Sequence, residues 1–359
     1  MILINNTKRE DKLTDIKPHI LSLFPEQLEE ILLSWGEKKY RISQIFDWIY
    51  QKYALSFDEM TTLSKDLRQK LNDHFDFNLP EIDIVQKSAD RSEKFRLKLS
   101  DGYFIEMVFM PNEKKNTLCI SSQVGCARNC QFCATAKMGL IRQLTPEEIL
   151  GQVLIAQKQF PDQRITNIVL MGMGEPLDNY DNVVHFIRLM QSEKAFSFSP
   201  RRMTLSTCGV VPGINKLADS GIKIKLAVSL NSAINVKRNE LMPINQLYSL
   251  EELKKSVLDF RKKTTFRITF EYIMIKNFNM SHEDVKALIK FAGDISCKIN
   301  LIKWNHVPGL SWLSPDEKDI AQFIEQLSCI SAAITLRQSR GEDIAAACGQ
   351  LAGNQSQKF

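Results

Sequence analysis

Three thiols fall close together in this chain, at Cys126, Cys130 and Cys133, in the order Cys-x-x-x-Cys-x-x-Cys. A thiolate is a soft ligand and selects zinc, copper(I) or iron–sulfur clusters over hard cations. Structural zinc usually takes two ligand pairs with a regular gap. Here no histidine lies between His74 and His185, and no second cysteine pair follows. Ferredoxin-type clusters take four cysteines. Three ligands therefore suit a [4Fe–4S] cube that leaves one iron open to a further molecule. A structural zinc site and a chance grouping are the other readings of the same residues.

A second set of polar groups falls where strands should end. Gly172-Met173-Gly174-Glu175-Pro176 reads either as an ordinary turn or as a loop whose bare backbone approaches a ligand. Ser206, Ser229-Leu230-Asn231 and Asn305 follow later apolar runs, and together they suit the ribose and carboxylate of a nucleoside. Glu106 stands among Phe104, Ile105 and Met107. A carboxylate in apolar company suits acid–base work, although strict alternation would also turn it to solvent. Lone cysteines, Cys119 and Cys348 included, ordinarily read as small buried hydrophobes; Cys208 and Cys329 read as core.

The elements that must position these residues alternate. Strands are expected at Thr117–Ser122, Ile165–Met171, Met203–Thr207, Lys223–Leu230, Phe266–Ile275, Lys298–Lys303 and Ala332–Arg337. Helices are expected between them at Pro146–Phe160, Asn182–Met190, Leu250–Lys262, His282–Ala292 and Pro315–Leu327, the first and last capped by Thr145 and Ser314. Strict alternation implies an α/β fold with a parallel sheet closing partly into a barrel, whose working residues sit at the C-terminal strand ends. Upstream, Ile82–Val85, Phe95–Leu99 and Tyr103–Phe109 read as strands, the last two joined at Asp101-Gly102. Leu21 to Phe77 carries helical spacing, about four helices. The expected layout is a lead-in over 1–20, a helical accessory domain over 21–80, a β extension over 81–111, a barrel over 112–345 and a C-terminal segment over 346–359, frayed from Gly349.

The chain has 359 residues, 44% of them hydrophobic and 25% charged, the profile of a globular protein. The opening residues lack a secretory h-region, and no apolar run could span a membrane, so a cytoplasmic protein is expected. Eight cysteines in that setting argue for metal or catalytic use over disulfides. The net charge of +5 permits an RNA partner without requiring one. Lys38, Lys39, Arg41, Lys52, Lys65, Arg68 and Lys70 in the helical region, and Arg201, Arg202, Lys237, Arg238, Arg261, Lys262 and Lys263 later, read as phosphate holders or as solvated charges.

The cysteine spacing, with Phe132 just before the last ligand, resembles the signature of radical S-adenosylmethionine enzymes. Ser121-Ser122-Gln123-Val124-Gly125-Cys126, Met171 to Pro176, Arg201-Arg202, Leu241-Met242-Pro243-Ile244-Asn245 and Ala346 to Leu351 narrow the resemblance to the RlmN–Cfr family of radical methyltransferases. It runs from about residue 20 to 354. The resemblance implies a radical SAM partial (β/α)6 barrel with a small N-terminal all-helical domain and a short β extension. It assigns Cys126, Cys130 and Cys133 to the cluster. Gly174, Glu175, Ser206, Ser229, Leu230, Asn231 and Asn305 go to S-adenosylmethionine, of which two are used per turnover. Cys348 becomes the methyl carrier, Cys119 its disulfide partner in turnover, and Glu106 the base.

The implied activity is methylation of an adenosine of 23S rRNA, with transfer RNA as a second substrate, a flavodoxin-like electron donor and a monomeric enzyme. Gly-Met-Gly-Glu-Pro, Val124-Gly125 and Leu351-Ala352-Gly353 resemble the C2-methylating branch more than the C8-methylating resistance branch. A histidine is common where Asn231 stands, so a charged role there is in doubt. A zinc-stabilised RNA-binding protein without catalysis is the reading from a different class.

Overall fold

The computed structural model describes residues 17–307 and 309–352. The expected lead-in up to residue 16 and the tail from residue 353 lie outside them. Two compact units divide at Asn78 and Leu79.

The first unit is helical. α1 (Pro25–Ser34) starts on a proline, whose missing N–H costs nothing at that position. It buries Leu28 and Leu32, one turn apart. α2 (Lys39–Phe46) buries Ile42 and Ile45 and runs on into a π turn, Asp47–Gln51. α3 (Lys65–His74) is capped by Ser64, whose hydroxyl accepts from the Leu67 N–H at 3.2 Å, and buries Leu67 and Leu71. Three α-helices thus stand among the described residues where about four were expected, because the remaining turns are short 3-10 or π segments. His19, placed in the lead-in by its sequence, already bridges to Asp76.

The second unit is built on a ten-stranded sheet among the described residues. β1 (Glu81–Lys87), β2 (Glu93–Lys98) and β3 (Phe104–Met110) form an antiparallel meander, with Gly102 at φ +86° in the β2–β3 turn. β3 also pairs antiparallel with β4 (Thr117–Cys119), which joins the extension to a parallel array. β5 (Gln123–Gly125) and β6 (Leu140–Gln143) make a small hairpin around the cluster loop. The array continues through β7 (Asn167–Leu170), β8 (Met203–Thr207), β9 (Lys225–Ser229), β10 (Ile268–Met274), β11 (Cys297–Lys303) and β12 (Ala333–Arg337). Every neighbouring pair from β4 to β12 in that order is parallel.

The crossovers carry α4 (Pro146–Gln159), α5 (Tyr180–Gln191), α6 (Val211–Asp219), α7 (Asn235–Leu241), α8 (Ile244–Leu247), α9 (Leu250–Lys263), α10 (His282–Ala292) and α11 (Glu317–Gln326). Helices cover this sheet, so its central strands are continuous apolar runs, as in Leu226-Ala227-Val228.

Most expected boundaries shift by a residue or two, and two of the shifts have a visible cause. The strand expected over Thr117–Ser122 pairs only to Cys119. Past it, the Ser121 hydroxyl donates to the Glu106 carbonyl at 2.6 Å, and the Ser122 N–H turns to Met173. α11 starts after Asp316 and not at Pro315. The Asp316 carboxylate accepts from the Asp319 N–H at 2.9 Å, whereas Ser314 spends its hydroxyl on the Trp304 carbonyl. At α4 the expected start holds: Pro146 leads, and Glu148 accepts from the Thr145 N–H at 3.0 Å.

Candidate active site

One cavity opens at the C-terminal ends of the parallel strands. Its wall includes Cys126, Cys130 and Cys133, together with Cys119 and Cys348. The three grouped thiols sit in the segment between β5 and β6, which the β4–α4 crossover carries out over the strand ends. Burial pushes the Cys126 thiol up to about 12. The Cys130 and Cys133 thiols are also raised, by burial first and, for Cys130, by its neighbours Cys133 and Cys126. Three desolvated thiols, whose thiolates would crowd negative charge, are what a cationic metal centre would neutralise. Among the described residues no group of three His, Cys, Asp or Glu side chains is suited to a single ion. A cube takes one thiolate on each of three irons, so its ligands need not share one centre, and this donor set fits that group.

The loop after β7 leaves no room for a side chain at either of its glycines. A Cβ on Gly172 would lie 2.6 Å from the Ile120 carbonyl oxygen, and one on Gly174, at φ +104°, 2.6 Å from the Gln123 Cβ. Close packing onto the β4–β5 segment therefore already requires both glycines. Glu175 is buried, and burial raises its carboxyl above the usual range. Oε2 accepts from the Cys208 N–H at 2.7 Å and Oε1 from the Leu177 N–H at 3.0 Å. A carboxylate has about four lone-pair directions, so room remains for a ligand donor. Arg128, beside the cluster ligands, pairs with Asp178.

The remaining expected contacts divide. Ser206, Ser229 and Asn231 line the cavity; Leu230 and Asn305 do not. Leu230 is fully buried, with its N–H given to the Glu271 carbonyl at 2.9 Å. Asn231 sits at φ +55°, a conformation asparagine tolerates better than most residues. Its Oδ1 accepts from the Ile273 N–H at 2.9 Å, and its Nδ2 points to the Met242 sulfur at 3.3 Å. Asn305 works on the C-terminal segment: Nδ2 donates to the Cys348 carbonyl at 3.3 Å, and Oδ1 accepts from Ser339 at 2.6 Å.

That segment is held from both sides. The Ala134 N–H donates to the Gly349 carbonyl at 2.7 Å, and the Thr135 hydroxyl to the Leu351 carbonyl at 2.5 Å. Glu106 is buried but stands outside the cavity wall. Its carboxylate faces Lys94 at 3.5 Å and accepts from the Ala352 N–H at 3.0 Å. Val108, two residues along β3 and so on the same face, does line the cavity. Burial, then the Cys348 thiol, push Cys119 up to about 12, and Arg337 opposes that rise.

Sequence reasoning passed over several residues of this wall. Arg337, at the end of β12, faces Glu271 at 3.9 Å. The strand-end rule that selected Ser206 and Ser229 would have selected it too. Cys208, read as core, is buried and also borders the cavity; Cys329, read as core, is exposed. Three of the suggested phosphate holders have partners within the protein. Arg238 is 1% exposed, Lys237 pairs with Asp284 at 2.7 Å, and Lys262 pairs with Asp259 at 2.8 Å. Arg201 and Lys263 border a second cavity at the N-terminal ends of β8 to β10, the far edge of the sheet.

A partial barrel with three cluster-type cysteines over its C-terminal edge defines the radical SAM class. Residues 120–292 match the radical SAM superfamily, and residues 19–76 match the ribosomal RNA large subunit methyltransferase N-terminal domain. The crystal structure of a radical SAM methyltransferase from Sphaerobacter thermophilus superposes with a TM-score of 0.90 at 37% identity, covering 94% of this chain and 100% of that one. A Dictyoglomus turgidum protein named "Probable dual-specificity RNA methyltransferase RlmN" is 44% identical, over 93% of this chain and 96% of its own length. A Staphylococcus haemolyticus protein of the same name is 39% identical over 99% of both. The chain belongs to the RlmN family of radical SAM RNA methyltransferases. The resemblance seen in its motifs and the expected barrel fold both hold.

Proposed function

We propose that this enzyme methylates carbon 2 of an adenosine in 23S ribosomal RNA, and of an adenosine next to the anticodon in transfer RNA, with Cys348 as methyl carrier. The observation that carries the reading is the shared cavity: Cys119 and Cys348 face the same space as the three cluster thiols. The dual-specificity name of the relatives supports the two RNA classes.

Carbon 2 of adenine lies between two ring nitrogens and is too electron-poor to attack a methyl sulfonium. A radical route avoids that barrier. Cys126, Cys130 and Cys133 would hold a [4Fe–4S] cube, which together with S-adenosylmethionine would supply the one-electron, hydrogen-abstracting chemistry needed to activate an S-methyl group. Glu175 binds the cofactor's amino group beside Gly174. Ser206, Ser229 and Asn231 border its ribose and carboxylate, and Leu230 and Asn305 hold the strand ends behind them. The Cys348 sulfur first takes a methyl from one S-adenosylmethionine, as a nucleophile, and then presents it to the ring.

The S-bound methylene radical adds to C2, forming the carbon–carbon bond. Glu106 accepts the C2 proton, and the odd electron of the adduct returns to the one-electron donor. Cys119 then attacks the Cys348 sulfur, and the S–S bond forms as the S–C bond to the product breaks. The Cys119 thiol proton goes to the released carbon to complete the methyl, and two electrons and two protons reset the pair. Burial keeps Cys119 a thiol until then. The helical unit carries cation–ring pairs suited to RNA: Lys52 over Trp48 at 4.3 Å and Lys70 over Trp35 at 4.7 Å. No helix among the described residues is long and apolar enough to cross a membrane. A monomer working in the cytoplasm with a flavodoxin-like donor completes the reading.

The test is anaerobic incubation with ribosomal or transfer RNA and labelled cofactor, followed by nucleoside mass spectrometry. Labelled C2-methyladenosine is expected; C8-methyladenosine would move the enzyme to the resistance branch. A colourless preparation holding zinc without iron or sulfide would overturn the radical reading.

A further inference from the structure

Arg238 in α7 is among the most buried large side chains of the protein, at 1% exposure. Its guanidinium reaches four acceptors, none of them charged. Nε donates to the Leu230 carbonyl at 3.1 Å, and Nη1 to Asn245 Oδ1 at 3.0 Å. Nη2 donates to the carbonyls of Cys208 at 2.7 Å and Ser229 at 3.2 Å. Among the described residues no carboxylate pairs with it. An isolated charge in such a place is strongly unfavourable unless something anionic answers it.

The neighbourhood shows what does. Cys208 and Ser229, whose carbonyls it grips, border the same cavity as Cys130. The cluster loop is tied to the same helix, the Gln131 N–H donating to the Leu241 carbonyl at 2.9 Å.

We propose that Arg238 is a positioning cation for the cluster. Its fork clamps the ends of β8 and β9, and its unneutralised charge favours the reduced, more negative state of the cube. Net charge around a cluster sets its reduction potential, and a fixed cation nearby raises it. The inference rests on the cluster assigned to Cys126, Cys130 and Cys133.

The test is an anaerobic redox titration of the reconstituted enzyme, with dithionite as the one-electron reductant and electron paramagnetic resonance as the readout. Two variants remove the net charge by independent routes: Arg238→Gln deletes it, and Asn245→Asp sets a carboxylate against Nη1. Each is expected to lower the reduced fraction at fixed potential by about tenfold, ~59 mV for a one-electron couple. Arg238→Lys keeps the charge and loses the fork. It is expected to hold the wild-type midpoint while S-adenosylmethionine binding, measured by equilibrium dialysis, weakens.

If Arg238→Gln loads no iron, Asn245→Asp decides. A variant with wild-type iron and an unmoved midpoint overturns the proposal, as does an Arg238→Lys midpoint displaced as far as that of Arg238→Gln. Wild-type protein without a cube would instead sink the cluster assignment itself.

Discussion

The Glu175 carboxylate holds the Cys208 backbone, Oε2 accepting its N–H at 2.7 Å, while the carbonyl of the same Cys208 accepts from Arg238. One strand end is thus fixed by an anion on its donor and a cation on its acceptor. In Glu175→Gln only one amide oxygen remains for the two N–H groups, from Cys208 and Leu177. Leaving one unpaired costs about 1–3 kcal/mol. The variant is expected to keep its iron and bind S-adenosylmethionine at least about tenfold more weakly, ~1.4 kcal/mol. Equilibrium dialysis on reconstituted protein measures this, and wild-type affinity would remove Glu175 from the cofactor site.

Gly174→Ala drives a Cβ to 2.6 Å from the Gln123 Cβ at a φ of +104°. Gly139→Ala meets nothing within 4 Å at φ +67°. The first is expected to lower stability by more than the ~1 kcal/mol of left-handed strain alone, and the second by no more than about that amount. Thermal melts of the two purified variants compare them directly, and equal losses would mean the loop is not packed as described.

The two cavity cysteines outside the cluster should separate by phenotype. Cys348→Ala is expected to abolish methyl transfer while iron content and reductive cofactor cleavage persist; loss of iron would make Cys348 a ligand instead. Cys119→Ala is expected to stop after carbon–carbon bond formation and retain a covalent protein–RNA adduct, visible on a denaturing gel. Normal turnover in that variant would strip Cys119 of its role.

Alkylation gives a reading that needs no substrate. With its thiol pushed up to about 12, chiefly by burial, Cys119 stays protonated at neutral pH and is a poor nucleophile. Cys329 is exposed. Iodoacetamide at pH 7.5, followed by peptide mass spectrometry, is expected to modify Cys329 well before Cys119. Equal rates on the folded protein would contradict the burial of Cys119.

How much of this was legible in advance follows from where the information lies. Central parallel strands such as β9 declare themselves as apolar runs, and β8 and the edge strand β12 by their place in the strand–helix alternation, so all seven, from β4 to β12, are legible apart from their ends. The three grouped cysteines announce themselves by spacing. Arg238 did not, because Lys237-Arg238 reads locally as a surface charge run, whereas its acceptors come from Leu230, Asn245, Cys208 and Ser229. The surroundings of Glu106 were equally hidden, since Ala352 is 246 positions away in the chain. Ser314 looked like a cap because nothing in its neighbours shows that Trp304 claims its hydroxyl.

The backbone around the last cluster cysteine also clasps the tail, through Ala134 to Gly349 and Thr135 to Leu351. Damage to either partner therefore reaches the other. A disturbance in the loop that carries Cys133 is thus passed directly to Cys348, whose next residue hangs from that loop.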